Sequence, residues 1–295
     1  MKNIKVFITG LLAFSLLTGC SSASAASGQD TSAETVSGTV NAAGSSALLP
    51  LAQAAAESFM KDNPDCVINT NGGGSGEGLK QVAEGSVDIG NSDVFAKEKL
   101  DEETAKTLVD HEVAVVTMAP IVNSDLGVTN LTTDQLISVF TGKTTNWKEV
   151  GGPDEDIVLV TRPSSSGTRA TFKQYALNGE EEASNQALET DDSGTLVQTV
   201  KDNKAAIGYV ALSYLTDARG VTAVSIDGNE PTLENTYNGT YKVWSYEHMY
   251  TKGEAKGAVK AYIDYISGKD FADEVEKMGY GVTFKLTDEA KKAHE

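Results

Sequence analysis

Short apolar runs alternate along this chain with longer stretches in which apolar residues return every three or four positions, the signature of strands alternating with amphipathic helices. Residues 46–60 carry Leu48, Leu49, Leu51, Ala52, Ala55 and Phe59 on one face and predict a helix, followed by a short strand at 66–70. A glycine-rich turn then leads into a predicted helix at 77–84 with Leu79, Val82 and Ala83 inward, and Val87-Asp88-Ile89-Gly90 reads as a third strand. The apolar run 113–122 leads into a second half. That half opens with the capping-box pattern Thr132-Thr133-Asp134-Gln135, continues through a strand at 157–161 and a helix at 170–177, and reaches a buried strand at 206–210 with a predicted helix on each side. Residues 241–246 read as a strand returning to the first half, which helices at 254–266 and 272–278 complete. The alternation predicts an α/β fold with a parallel sheet. Two chain crossings imply a hinge between a discontinuous first lobe, 37–118 and 245–295, and a second lobe, 119–244.

The start of the chain follows a different rule. Lys2 and Lys5 precede a largely apolar run at 6–17, which ends in Leu17-Thr18-Gly19-Cys20. The run is short for a transmembrane helix, so residues 1–19 read as an export signal. Small residues before a cysteine resemble the bacterial lipobox, which predicts a lipid anchor on Cys20; an ordinary secretory signal with an incidental cysteine is the alternative. Residues 20–36, rich in Ser, Ala, Gly and Thr, lack an apolar period and read as a flexible tether. The other cysteine, Cys66, is expected in the core, and with Cys20 lipidated no intramolecular disulfide can form.

Charge narrows the function. The formal net charge is −18, and removal of Lys2 and Lys5 with the signal makes it −20. With no basic stripe and no aromatic platform, nucleic acid is not an expected partner. An anionic ligand would have to be held by local dipoles and one or two guanidinium groups, which demands a closed site.

Three turns have the chemistry for that. Arg162-Pro163-Ser164-Ser165-Ser166-Gly167-Thr168-Arg169 lies between a strand and a helix, and offers helix N-terminal N–H groups, hydroxyls and two guanidinium groups. Ala43-Gly44-Ser45-Ser46-Ala47 precedes the first helix; Gly44 permits close approach, Ser45 or Ser46 can give a hydroxyl and a cap, and Pro50 falls in the first turn, where it is tolerated. Gly72-Gly73-Gly74-Ser75-Gly76-Glu77-Gly78 is dense in glycine, which costs roughly 0.5–1 kcal/mol per residue in regular structure and suggests a backbone nest. It matches neither a dinucleotide fingerprint nor a P-loop. Each turn alone is also compatible with an ordinary capped helix. Converging on a cleft, the three could surround a tetrahedral oxyanion, with Arg162 supplying a charge-assisted pair.

Asp93, in Asp88-Ile89-Gly90-Asn91-Ser92-Asp93, sits beside this chemistry. A carboxylate there is useful if the ligand carries a proton, because it accepts a hydrogen bond from P–OH and repels a fully ionised oxyanion. A helix N-cap before 95–99 is the plain alternative. The machinery of a serine-dependent hydrolase is not apparent. The histidines are His111, His248 and His294, the first two expected to be structural and the third in a polar tail, and neither a G-x-S-x-G elbow nor metal-ligand spacing occurs.

Taken in order, Ala43-Gly44-Ser45-Ser46-Ala47, Gly74-Ser75-Gly76, Asp88 to Asp93 and Arg162 to Arg169 resemble the phosphate-binding proteins that feed the high-affinity phosphate ABC transporter, in a lipoprotein form. Asn146-Trp147, Gly151-Gly152-Pro153-Asp154 and Ile207-Gly208-Tyr209-Val210 are similar to segments of that family. The resemblance implies a two-lobed periplasmic-binding-protein fold, type II-like, closing on inorganic phosphate, with no catalysis and no cofactor. It implies ligand contacts from Ser46, Ala47, Ser75, Arg162, Ser166, Gly167 and Thr168, with Asp93 accepting the phosphate proton and Ser45, Gly76 and Arg169 as additional candidates. Ser164 stands where the family often has an acidic partner for the arginine, so Arg169 is a candidate to share its role. The implied protein is a monomer, anchored outside the membrane through Cys20 and delivering phosphate to permease subunits. The alternatives are the same fold binding sulfate, molybdate or another oxyanion, and an exported serine-dependent hydrolase.

Overall fold

The computed structural model describes residues 36–183 and 187–294, so the export signal, Cys20 and the tether fall outside the described residues. In chain order the first elements are β1 (Gly38–Gly44), α1 (Leu49–Asp62), β2 (Cys66–Gly72), α2 (Ser75–Glu84), β3 (Ile89–Ser92), α3 (Glu102–Ala105) and β4 (Leu108–Asn123). β1 lies between β2 and β3 and runs parallel to both, with Gly38 opposite Cys66 and Ala42 opposite Ile89. Helix α1 begins later than its apolar stripe because the Ser45 hydroxyl takes the N–H groups of Ala47 and Leu48, both at 3.0 Å, and closes a turn first. Its Leu51, Ala52, Ala55 and Phe59 are buried, and Phe59 meets Tyr262 edge-on at 5.9 Å. Cys66 is buried, as expected of a core residue.

The second run of elements is β5 (Asn130–Leu131), α4 (Thr133–Phe140), β6 (Val158–Thr161), α5 (Gly167–Ala176), β7 (Ala187–Glu189), α6 (Ser193–Asp202), β8 (Ala206–Ala211), β9 (Val221–Ala223), β10 (Ser225–Ile226) and α7 (Leu233–Tyr237). The chain ends with β11 (Trp244–Lys252), α8 (Gly257–Ile266), α9 (Ala272–Lys277) and α10 (Asp288–Lys292). The capping box at Thr132 forms as predicted, Gln135 and Thr132 exchanging hydrogen bonds. Phe172 stacks on Tyr209 at 4.2 Å and meets Phe140 at 5.0 Å, which fixes α4 and α5 against β8.

One sheet runs through both halves in the order β2-β1-β3-β11-β4-β8-β6-β7, with β9 also on β4. It is mixed, not parallel as the alternation suggested. The reason lies in β4, a long strand whose partner changes along its length: it pairs antiparallel with β11 as far as Thr117↔Trp244, then antiparallel with β8 from Met118↔Ala211 onward. The short strands β1, β2, β3 and β6, β7, β8 are parallel within their own groups.

Three local expectations change. After β8 the chain makes a 3-10 turn and strand β9, not a helix. The strand expected at 241–246 begins at Trp244; before it, the Val243 carbonyl still accepts from the Met118 N–H at 2.9 Å and the Tyr241 hydroxyl donates to the Met118 carbonyl at 2.8 Å. His294 is not in a free polar tail: its ring lies 3.8 Å from Trp244 and 3.9 Å from Tyr175, and burial pushes its pKa down to about 4.

Candidate functional site

Four strand-to-helix turns, after β1, β2, β6 and β7, and the end of β3 meet in one buried cleft. Ligand sites of α/β folds gather beyond the carboxyl ends of strands, where helix N-terminal N–H groups are unpaired. Here the glycines set how closely the turns approach. A Cβ on Gly44 would stand 2.1 Å from the Asn91 carbonyl oxygen, and one on Gly78 would stand 2.5 Å from the Ala43 carbonyl oxygen. The glycine-rich segment therefore packs α2 against β1 and β3 and does not form the expected nest. Gly74 turns the chain at φ 91° to start α2, and Gly76 gives its N–H to Ser165 at 3.0 Å, so it is not an open donor.

The predicted residues come together, with some reassigned. Ser45 is the cap of its turn and Ser46 is released toward the cleft. The Ala47 N–H, expected to face a ligand, goes to Ser45 in this structure. Ser75, Asp93 and Thr168 form a chain in which the Asp93 N–H donates to Ser75 Oγ at 3.0 Å and Thr168 Oγ1 donates to Asp93 Oδ2 at 2.9 Å. Asp93 is thus a cleft residue and not the N-cap of the following turn, a position Phe95 occupies. Gly167 sits so close that a Cβ would fall 2.2 Å from Ser75 Oγ. Ser166 caps α5 by accepting from the Arg169 N–H at 3.2 Å, which leaves its hydroxyl hydrogen to donate elsewhere.

Arg162 is 1% exposed. Its Nη1 donates to Ser193 Oγ at 3.1 Å, and its Nη2 donates to Ser46 Oγ at 3.1 Å and to the Asp191 carbonyl at 2.6 Å. A backbone carbonyl and two hydroxyls therefore orient the guanidinium in place of an acidic side chain. Arg169 does not share that role. It turns away, donates to the Arg162 carbonyl at 2.5 Å, and lies 3.7 Å from the buried Glu182 carboxylate. Burial pushes the Glu182 carboxyl up to about 7, with Arg169 opposing.

Several cleft residues escaped the sequence reading. Ser193, at the start of α6, bonds Ser46 Oγ at 3.0 Å as well as Arg162. Its Asp191-Asp192-Ser193-Gly194 context has the serine–glycine signal of the other turns, but two acidic residues mask it. Tyr214 donates to the Ser46 carbonyl at 2.6 Å, and Lys99 reaches the Ser164 carbonyl at 2.8 Å. Glu247, on β11, is fully buried. No pattern along the sequence links these positions to the cleft.

The polarity of the unpartnered atoms defines what the cleft can hold. Arg162 Nε, a donor, and Asp93 Oδ1, an acceptor, are buried with no hydrogen-bond partner. Leaving such groups unpaired is costly, so the cleft calls for a molecule that is anionic and also carries a proton. The histidines offer no base to these serines: His248 bonds Asp110 at 2.8 Å and His111 bonds Thr251 at 3.1 Å. No group of three His, Cys, Asp or Glu among the described residues could hold a metal ion.

Comparison with known proteins agrees with this geometry. Residues 29–270 match the family model of the PBP superfamily domain. The phosphate-binding protein PstS of Bacillus subtilis is 53% identical over 242 residues, covering 82% of this chain and 79% of that one. A crystal structure from Clostridium perfringens, of a protein assigned as a phosphate ABC transporter substrate-binding protein and solved with bound phosphate, superposes with a TM-score of 0.77 at 34% identity, covering 83% of this chain and all of that one. An ABC-type phosphate transport receptor from Vibrio cholerae superposes with a TM-score of 0.66 at 26% identity, again over 83% of this chain.

Proposed function

We infer the function from one premise: this chain belongs to the PstS family of phosphate-binding proteins, within the PBP superfamily. It is an extracytoplasmic solute-binding protein of a phosphate ABC transporter, and inorganic phosphate is its ligand. The observation that carries the reading is the pairing of opposite needs in one buried cleft, the free Arg162 Nε donor and the free Asp93 Oδ1 acceptor.

In our proposal Arg162, the hydroxyls of Ser46, Ser75, Ser166 and Thr168, and the N–H groups of Ala47, Gly167 and Thr168 hold the phosphate oxygens. The first two N–H groups of α5 have no partner within the helix and point along its dipole, which favours an anion. Binding the ligand through Ala47 requires its N–H to leave Ser45 or to be shared between the two acceptors. Asp93 accepts the proton of a protonated phosphate. Sulfate, which is fully ionised, offers that carboxylate nothing and meets its charge.

The lobes, 37–118 with 245–295 and 119–244, close about the two crossings, where β4 exchanges β11 for β8 and where β11 begins. This assignment is supported by the change of strand partner at Thr117 and Met118. Cys20 carries the lipid anchor, which holds a monomer at the outer face of the membrane beside the permease subunits. Calorimetry of the protein with phosphate, sulfate and arsenate tests the central claim. Phosphate at a hundredfold excess over its dissociation constant should add roughly 2.7 kcal/mol of stability. A protein that takes up sulfate as readily as phosphate would refute the reading of Asp93.

A further inference from the structure

Glu247 is a buried carboxyl with no explanation in the cleft as described so far. It is 0% exposed, and neither of its oxygens has a hydrogen-bond partner. The antiparallel ladder between β3 and β11 pairs Tyr250 with Gly90, Met249 with Asn91 and His248 with Ser92, and just beyond its last pair the side chains of Glu247 and Asp93 come within hydrogen-bonding reach of each other. On the other side of β11, Glu247 pairs with Ala114, which brings no charge. Asp93 is 1% exposed, and its Oδ1 also has no partner. Two acids thus stand together, Glu247 with neither oxygen supplied with a donor and Asp93 with only its Oδ2 supplied, by Thr168.

We propose that Glu247 is a positioning residue for the ligand's proton acceptor: as an uncharged acid it donates a hydrogen bond to Asp93 and holds that carboxylate, ionised, toward the cleft. This rests on the phosphate-receptor reading. Two ionised carboxylates cannot share a dry site, and one of such a pair takes up a proton. Burial pushes Glu247 well above the usual carboxylate range, and the charge of Asp93 pushes the same way. Among the described residues its charge also reaches the phenols of Tyr214 and Tyr280, both raised chiefly by burial, and Asp93 in turn lies within reach of the Lys99 ammonium. The arrangement has a chemical logic. A carboxylate has about four lone-pair positions. Thr168 uses one of those on Asp93 and the Glu247 acid proton would use a second, leaving the rest for the proton of the phosphate. A neutral Glu247 also keeps the negative charge facing the ligand at one unit, enough to reject sulfate without repelling phosphate.

The test compares Glu247→Gln, which still donates but cannot ionise, with Glu247→Leu, which does neither, in the full-length protein. Phosphate and sulfate affinities are measured by calorimetry from about pH 5.5 to about 8.5, spanning the range in which an ordinary carboxyl would be ionised. Infrared spectra in deuterated buffer report the carbonyl stretch of a buried protonated carboxyl. Glu247→Gln should keep phosphate affinity within about threefold at every pH, with the same phosphate-to-sulfate ratio, and Glu247→Leu should lose about tenfold or more, the order expected for one hydrogen bond to a charged group. The wild-type acid band should vanish in Glu247→Gln. A Gln variant that binds either anion tenfold more tightly, a Leu variant that binds as well as wild type, or a wild-type protein with no acid band would each overturn the proposal. A wild-type protein that bound no phosphate would sink the receptor reading instead, while the infrared band would still decide the state of Glu247.

Discussion

Replacing Asp93 by asparagine changes one atom in the cleft and should narrow its preference for phosphate over sulfate. Asp93 is 1% exposed and already accepts from the Thr168 hydroxyl at 2.9 Å. The amide keeps one acceptor for Thr168 and turns an NH2 group toward the ligand. For phosphate, a hydrogen bond to an ionised acceptor, worth about 1.5–3 kcal/mol, is exchanged for a neutral one worth about 1, so binding should weaken by about 0.5–2 kcal/mol. That is roughly two- to thirtyfold. For sulfate the change has the opposite sign: a like charge about 4 Å away costs up to about 4 kcal/mol at an effective dielectric of 20, and its removal restores that. With the like-charge cost at that distance running from about 1 kcal/mol at the dielectric of water to about 4 at a dielectric of 20, the phosphate-to-sulfate ratio should fall by at least about tenfold. Competition calorimetry, with each anion titrated alone and then against the other, measures both terms separately. A ratio that changes by less than about fivefold, with the variant still folded, would show that Asp93 does not read the ligand's proton and that selectivity arises elsewhere.

Other perturbations test other parts of the cleft. Ser193→Ala removes the acceptor of Arg162 Nη1 and the partner of Ser46, and should weaken phosphate binding about two- to twelvefold, the cost of one hydrogen bond, as read by calorimetry. Gly167→Ala places a methyl group 2.2 Å from Ser75 Oγ, and should weaken binding by about 1–3 kcal/mol through overpacking; unchanged affinity would show that α5 and Ser75 need not meet. Glu182 has a folded-state pKa raised to about 7 from 4.5 by burial, so the folded protein holds that proton more tightly than the unfolded chain. Its stabilising contribution is complete below 4.5 and is lost as pH rises through about 7. Relative to Glu182→Gln, the wild type should lose up to about 3 kcal/mol across that interval in urea melts at matched pH, and a gain would refute the assignment.

What could be read from the sequence was whatever lies within one turn of the chain. The residue types of a strand-to-helix turn are dictated locally, by the need for a cap, for close approach and for hydroxyls near an anion. Arg162, Ser166, Gly167 and Thr168 were legible for that reason, as were Ser46 and Ser75. The division of labour between adjacent serines was not legible, because whether Ser45 or Ser46 caps depends on the exact path into α1. The support of Arg162 was hidden differently. An acidic side chain was the expected partner, and the structure uses the backbone carbonyl of Asp191, which any residue type could supply. Glu247 and Lys99 reach the cleft only through strand register and contacts between the halves, neither of which has a local pattern. The mixed sheet has the same origin, since an apolar run does not announce that it will change partners halfway.

The charge of the chain makes the burial of the site necessary. A net charge of −18 opposes the capture of any anion, yet charges on the surface are screened over about 8 Å at physiological ionic strength, while groups inside are not. The cleft therefore depends on what is buried in it. Helices α2, α5 and α6 direct their N-terminal ends toward it, and Arg162, nearly fully enclosed, contributes a full positive charge. Among the described residues three acids are buried to a comparable degree, Asp93, Glu182 and Glu247. Glu182 is set against Arg169, whose guanidinium also donates to the Arg162 carbonyl. With Glu247 neutral, Asp93 alone presents negative charge to the anion, and a single carboxylate among so many donors is tolerable only when the ligand brings a proton for it. On the proposed reading, selectivity follows from which charges the cleft encloses, Arg162 and Asp93 within it and Lys99 at the Ser164 carbonyl, set within a protein whose surface charge alone would repel the ligand.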